Sequence, residues 1–214
     1  MDARSLLDKL QDDATDELDA VRAALAENPD LPAEFLALAE HVANEETAPP
    51  PSVIVDLRVA LSTVARLVQD PGLRGRLHLA QADLMLASGD SDQYVLEAAI
   101  QAAGWNPDLD RAYELTFDQL RGSSDLDWTE AMEKIEGRLP KDALALLRHV
   151  IERAEAGVKT GEKPYFLRFD PTEGATLADA AALVAGGLLA EAVAARRGAT
   201  GEDFPTARRA VFGG

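Results

Sequence analysis

Apolar side chains recur at three- and four-residue steps along most of this chain, which is the period of an amphipathic α-helix. The clearest stripe runs from Val53 to Val68, behind Ser52, a residue suited to capping the start of a helix. Other stripes predict further helices, from one over Arg4–Glu27 to an alanine-rich one over residues 176–197. Together they predict an all-α fold of about nine helices, arranged as an irregular bundle of helical hairpins.

Prolines and glycines divide this helical pattern into parts. Three consecutive prolines, at 49–51, form a stiff spacer between an N-terminal helical hairpin (residues 1–47) and a main helical body (residues 52–198). Within that body, residues 157–175 hold glycines and prolines with few helix signals, which predicts an ordered loop or a short extended strand. Residues 199–214 are expected to form a C-terminal tail.

One stretch, from Leu73 to Pro140, predicts helix, turn, helix and loop twice in succession, with turns at residues 89–91 and 123–125. Its segment ADLMLASGDSDQYVLEAAIQAAGWNPD has a Gly-Asp turn between two helices and an Asn-Pro-Asp terminator, and it resembles a tetratricopeptide repeat. The resemblance implies a short tetratricopeptide-like α-solenoid with a concave surface that binds a peptide or another protein. Tyr94 departs from the repeat pattern, and uneven proline spacings of 42, 36, 33 and 31 residues favour an irregular bundle.

The net charge of −17 is unevenly distributed along the chain. Residues 1–50 hold 13 acidic and 3 basic residues, residues 51–137 hold 15 and 7, and residues 138–214 hold 10 and 11. An acidic body disfavours direct binding to nucleic acid, because that affinity comes largely from lysine and arginine on phosphates. It favours a partner protein or peptide with a basic surface.

The chain has no cysteine, which excludes disulfides and thiolate metal sites. Its acidic, amphipathic start is unlike a secretory signal or a transit peptide, so the expected location is the cytoplasm. Only 11 uncharged residues lie between Asp179 and Glu191, fewer than the roughly 20 that span a bilayer, and we expect no membrane partner. No sequence motif indicates a cofactor.

The alanine-rich helix predicted over residues 176–197 carries small residues at four-residue steps, namely Ala182, Gly186 and Ala190. Such a row lets a second helix approach closely, and glycines inside a helix cost about 1 kcal/mol each against alanine. A packing role therefore accounts for Gly186 and Gly187. The helix that packs there belongs either to the same chain or to a second copy, in which case residues 176–197 form a homodimer interface.

Aromatic residues are few, and several of them cluster in the predicted loop beside basic residues. They have two interpretations: they plug the end of the helical core, or they form a contact surface. With the aromatic residues of the repeat-like stretch, they give a set of candidate partner-binding residues: Tyr94, Trp105, Tyr113, Tyr165, Phe166, Phe169 and Arg168.

Four glutamates offer an alternative, enzymatic interpretation. Glu130 and Glu133, followed by Glu152 and Glu155, resemble the ExxE…ExxD metal site of the all-α nucleotide pyrophosphohydrolases, with glutamate in the last position. The resemblance implies a magnesium ion held between two neighbouring helices. Helical periodicity, however, places these glutamates largely opposite the apolar side of each helix.

The sequence contains no nucleophile elbow, phosphate-binding loop or dinucleotide fingerprint. We therefore expect a non-enzymatic protein–protein interaction module: an adaptor, an assembly factor or a chaperone-like binder with an acidic helical surface. The alternatives are a magnesium-dependent hydrolase that uses the four glutamates, and an acidic mimic of nucleic acid that occupies a DNA-binding protein.

Overall fold

A computed structural model describes residues 1–12, 17–43, 51–123, 125–161 and 165–213. Within these ranges all regular secondary structure is helical, which confirms the predicted all-α class. The described ranges contain twelve α-helices and one short 3-10 helix, so the expected count of about nine is too low. The chain divides into two compact units, residues 1–106 and residues 107–214, which are described separately.

Unit 1 contains the first six helices. These are α1 (Ala3–Asp12), α2 (Glu17–Glu27), α3 (Leu31–Ala43), α4 (Pro51–Leu67), α5 (Pro71–Ser88) and α6 (Asp92–Trp105). Helix α4 packs on α1, α2, α3 and α5, and its apolar stripe is buried through Leu57, Leu61 and Val64. That stripe makes α4 the centre of the unit's core, as its periodicity predicts.

Two expected boundaries in unit 1 fall on residues that lie outside the described ranges. Of the three prolines expected to separate residues 1–47 from residues 52–198, Pro49 and Pro50 lie in one such gap, 44–50, and Pro51 begins α4. On either side of that gap, α1–α3 and α4–α6 belong to the same compact unit, because α4 buries its stripe against the earlier helices. The helix predicted over Arg4–Glu27 is described as α1 and α2, on either side of residues 13–16.

Helices α5 and α6 form the hairpin that the Gly-Asp turn predicts. Gly89 has a φ of +68°, the left-handed conformation that closes a helix, and the backbone N–H of Asp90 donates to the Met85 carbonyl at 3.0 Å. The two helices approach closely at their far ends. A β-carbon on Gly75 would lie 2.4 Å from the β-carbon of Asn106, so glycine is required there.

Unit 2 contains the remaining helices. These are α7 (Asp110–Gly122), α8 (Thr129–Ile135), a 3-10 turn (Glu136–Arg138), α9 (Lys141–Thr160), α10 (Leu177–Ala185), α11 (Leu189–Thr200) and α12 (Phe204–Phe212). The repeat-like stretch from Leu73 to Pro140 is therefore shared between the two units, and the principal partner of α7 is α9. Its relation to tetratricopeptide repeats stays a prediction.

Three sequence predictions for unit 2 are corrected by the structure. Helix α9 continues through Gly157 and ends at Gly161, with φ +67°, so the loop predicted over residues 157–175 begins later. The single helix predicted over 176–197 is two helices, because Gly187 adopts φ +76°. The expected tail, 199–214, contains α12, which begins at an Asp203 cap.

Helix α12 contributes to the core of unit 2 through an aromatic side chain and a buried ion pair. The Phe204 ring lies 5.7 Å from the Tyr113 ring and 5.1 Å from the Phe169 ring, measured between centroids. The buried Arg208 guanidinium donates from Nε to the Asp142 carboxylate at 2.7 Å. These contacts make residues 204–212 an integral part of unit 2.

Candidate binding groove

The connection between α9 and α10 includes residues 165–175, which are held against α7 and α11 by hydrogen bonds from their backbone. The N–H of Phe169 donates to the Glu114 carboxylate at 3.0 Å, and the N–H of Thr172 donates to the Ala194 carbonyl at 3.1 Å. Arg197 donates from Nη1 to the carbonyl of Phe169. These bonds hold the loop in one position over the core.

Glycine makes part of this anchoring possible. A β-carbon on Gly198 of α11 would lie 1.9 Å from the Thr172 carbonyl oxygen, far inside van der Waals contact. Only a glycine therefore lets the loop backbone lie so close to the helix.

A groove of about 570 Å³ runs between this loop, α10 and α11. Its apolar lining includes Leu167 and Leu183, with the small residues Ala194 and Ala195. Its ionisable lining comprises the carboxylates of Glu173, Asp179 and Glu191, together with Tyr165 and Arg168. Apolar surface with a few polar groups is typical of a binding site.

A hydrogen-bonded network forms one wall of the groove. Arg153 donates from Nη2 to the Tyr165 hydroxyl at 2.6 Å and to Oε1 of Glu191 at 3.1 Å. The Tyr165 hydroxyl lies 3.3 Å from the same oxygen, and burial, followed by the Glu191 charge, raises the pKa of Tyr165. The second oxygen, Oε2 of Glu191, is buried and has no hydrogen-bond partner among the described residues.

Acidic charge exceeds basic charge along the groove. The side-chain and backbone hydrogen bonds from Thr176 lower the pKa of Asp179, so that this carboxylate stays ionised at neutral pH. Among the described residues that line the groove, Arg168 is the one base. Its charge is partly compensated by Asp118, to which it donates at 3.2 Å, just as Arg153 partly compensates the charge of Glu191. The groove is consequently suited to a ligand that carries positive charge.

Phe166 is exposed at the edge of the groove, with 62% of its surface accessible. Guanidinium carbons of Arg121 and Arg168 lie 4.2 and 5.3 Å from the centre of its ring. Such cation–π contacts orient the ring while leaving much of it open to a partner.

The structure separates the candidate partner-binding residues by location. Tyr165, Phe166 and Arg168 line the groove, whereas Tyr113 and Phe169 are fully buried in the core beneath it. The expected role of Tyr113 and Phe169 in direct contact is thus corrected: their rings pack against each other at 6.3 Å. Phe169 plugs the core, whereas Phe166 is exposed, and a contact role for the loop stays a prediction.

The remaining two candidates, Tyr94 and Trp105, belong to unit 1. Tyr94, on α6, is 54% exposed. Trp105, at the end of the same helix, is half-buried and has the Arg74 guanidinium 3.8 Å from the centre of its ring. Neither residue is among those that line the groove between α10 and α11.

Helix α10 exposes apolar residues that sequence reasoning did not select. Leu177 and Val184 are 55% and 42% accessible, and Ala180 is the one buried residue of the helix. A helix with a single charged residue, here Asp179, is ordinarily buried, so the sequence predicts burial for these apolar side chains and not exposure. The small-residue row is corrected as well, because Ala182 lies on α10 and Ala190 on α11.

Three of the four glutamates of the enzymatic alternative line a separate groove of about 460 Å³, beside α8 and α9. Glu155 accepts a hydrogen bond from Trp128 Nε1 at 2.8 Å, and Glu130 pairs with Lys134 at 2.7 Å. The described ranges contain no group of three or more acidic or histidine side chains placed to hold a metal ion. The geometry gives the magnesium site no support.

No protein-family model, curated protein or solved structure matches this chain. Among the helices in the described part of the chain, none is both long enough and apolar enough to cross a bilayer.

Proposed function

We propose that the chain is a non-enzymatic protein–protein interaction module whose unit 2 binds a basic, partly apolar segment of another protein. The observation that carries this proposal is the groove lined by Leu167 and Leu183 and by the carboxylates of Glu173, Asp179 and Glu191. Its volume of about 570 Å³ lies within the range of roughly 300–1,000 Å³ typical of ligand pockets.

The apolar part of the groove supplies affinity. Burying apolar surface contributes roughly 25 cal/mol per Å², and side chains such as leucine on the partner gain this when they cover the half-buried Leu183. The exposed ring of Phe166 adds aromatic contact area at the edge of the groove. An exposed aromatic side chain beside an apolar groove is a common feature of protein interfaces.

The charged part of the groove supplies selectivity. A lysine or arginine of the bound segment would pair with the exposed carboxylates of Asp179 and Glu173, which line the groove. Glu191 already pairs with Arg153, and it adds negative charge to the groove wall. The net charge of −17 steers basic partners toward the chain, and this long-range attraction weakens as salt is added.

The experiment uses two fluorescently labelled peptides of equal length, one alternating lysine with leucine and the other alternating glutamate with leucine. Fluorescence anisotropy with the intact chain should show binding of the lysine peptide, weakening as salt rises from about 50 to 200 mM. The glutamate peptide should not bind, because it places like charges against the groove. Equal binding of both peptides, or of neither, contradicts the proposal.

A further inference from the structure

Helix α10 has a second surface, formed by Leu177, Ala181 and Val184. These residues stand at positions i, i+4 and i+7, so a helical period of 3.6 places them in one stripe. All three are exposed. We infer that this stripe joins two copies of the chain, through antiparallel packing of α10 against its counterpart about a two-fold axis.

The stripe is distinct from the groove. The groove-lining residues of α10 are Asp179 and Leu183, which the helical period places roughly 100–160° around the helix from Leu177 and Val184. The buried residue Ala180 lies between these two surfaces, and α10 packs on α11. A second copy on the stripe therefore leaves the groove open, and the inference does not depend on what the groove binds.

The arrangement of side-chain sizes along the stripe is self-complementary. A two-fold axis that passes through Ala181 sets Leu177 of each copy beside Val184 of the other. The small central residue lets the two backbones approach, and the larger residues on either side fill the space flanking the crossing. A surface that meets its own copy in this way forms an isologous interface, the commonest kind in soluble oligomers.

Charge also favours a second copy over a partner of opposite sign. Helix α10 carries one charged residue, Asp179, and residues 180–190 carry none. A basic partner gains no ion pair at the stripe, whereas two acidic chains meet there without bringing like charges into contact. Two copies of a chain with net charge −17 can therefore meet at the stripe without placing like charges in contact.

The size of the stripe sets the strength of the dimer. From Leu177 to Val184 the helix rises about 10 Å, and an interface built on it buries less than the roughly 1,200 Å² of stable complexes. The dimer is therefore expected to be weak and to dissociate on dilution. Each dimer presents two grooves, so a partner with two basic segments binds more tightly than a partner with one.

Sedimentation equilibrium of the intact chain from about 5 to 500 µM tests this inference. The weight-average mass should rise with concentration from 22.9 kDa toward twice that value. Val184→Lys should remain near 22.9 kDa throughout, because it places two like charges in the interface. The matched control Tyr94→Lys changes another exposed residue, in unit 1, and should dimerise like the unchanged protein.

A second measurement exploits the absence of cysteine from the chain. If Ala181 lies at the two-fold axis, two Ala181→Cys copies come within the Cα separation of about 7 Å that a disulfide requires, and mild oxidation yields a covalent dimer. Tyr94→Cys should stay monomeric on a non-reducing gel. The inference is overturned by a monomeric mass across the whole concentration range, by a Val184→Lys variant that still dimerises, or by equal cross-linking of both cysteine variants. Peptide binding by the monomeric Val184→Lys variant shows separately whether the groove functions.

Discussion

Gly198 and Thr172 pack so closely that a β-carbon on the glycine would lie 1.9 Å from the threonine carbonyl oxygen. This contact brings the loop at residues 165–175 against α11 and so sets one wall of the groove. The loop position consequently depends on a residue that does not itself line the groove.

Replacing that glycine should displace the loop. Gly198→Ala should lower the unfolding free energy by about 1–3 kcal/mol, the usual cost of overpacking, and weaken binding of the lysine–leucine peptide. Urea unfolding and fluorescence anisotropy measure the two effects. Gly157→Ala is the control: its added methyl meets no atom within 4 Å, and inside α9 it should stabilise the chain by up to about 1 kcal/mol. Similar effects of both substitutions would contradict this account of the loop.

Glu114 should stabilise the loop at residues 165–175 through one hydrogen bond. Its carboxylate accepts from the N–H of Phe169, and burial raises the pKa of Glu114. Glu114→Ala leaves that buried N–H without an acceptor, which should cost about 1–3 kcal/mol in unfolding free energy. Glu114→Gln retains an acceptor and should cost much less at pH 7. Equal losses from both variants in urea unfolding would show that the hydrogen bond is not the cause.

The ion pair of Arg208 with Asp142 should show whether residues 204–212 are integral to unit 2. Arg208→Met leaves Asp142 buried and unpaired and should lower the unfolding free energy by about 3–5 kcal/mol. The double variant Arg208→Met/Asp142→Leu removes both charges and should recover much of that loss. Thermal unfolding of the three proteins measures the difference. A negligible effect of Arg208→Met would mean that α12 does not stabilise the unit.

His78 should make the stability of unit 1 depend on pH. Burial, and then the charge of Arg74, lower the pKa of His78 to about 4. The unfolded histidine binds a proton below about pH 6.5 while the folded one stays neutral, so acid favours unfolding between pH 6.5 and 4. Over that window the unfolding free energy should fall by up to about 3 kcal/mol, and His78→Gln should remove this part of the slope. Urea titrations at several pH values that give parallel slopes for both proteins would contradict the prediction.

The sequence predicted those turns and helices whose conformation depends on a few neighbouring residues. Gly89 marks the turn between α5 and α6 because glycine adopts a positive φ freely, and the stripe from Val53 to Val68 marks α4 because its period is helical. Gly186 and Gly187 could have predicted the break between α10 and α11. A pair of glycines in an alanine-rich run, however, is compatible with close helix packing as well as with a helix break. The structure distinguishes the two through a φ of +76° at Gly187.

The candidate site was only partly predictable. A loop has no periodicity that distinguishes its buried side chains from its exposed ones. The sequence therefore could not predict that Phe166 is exposed and Phe169 is buried. Leu183 and Val184 were missed for a related reason. Apolar residues on a helix with one charge indicate burial, and only the packing of α10 on α11 reveals which of them remain accessible.

One substitution, made at two adjacent positions, tests most directly whether the groove binds a basic and apolar segment. Leu183→Lys places a positive charge in the groove, and Val184→Lys places the same charge roughly 100° further around α10, at a residue that does not line the groove. Fluorescence anisotropy with the lysine–leucine peptide compares the two variants at the same net charge. The account predicts that Leu183→Lys raises the dissociation constant at least about tenfold, while Val184→Lys leaves it within about twofold. Equal affinities of the two variants would contradict the claim.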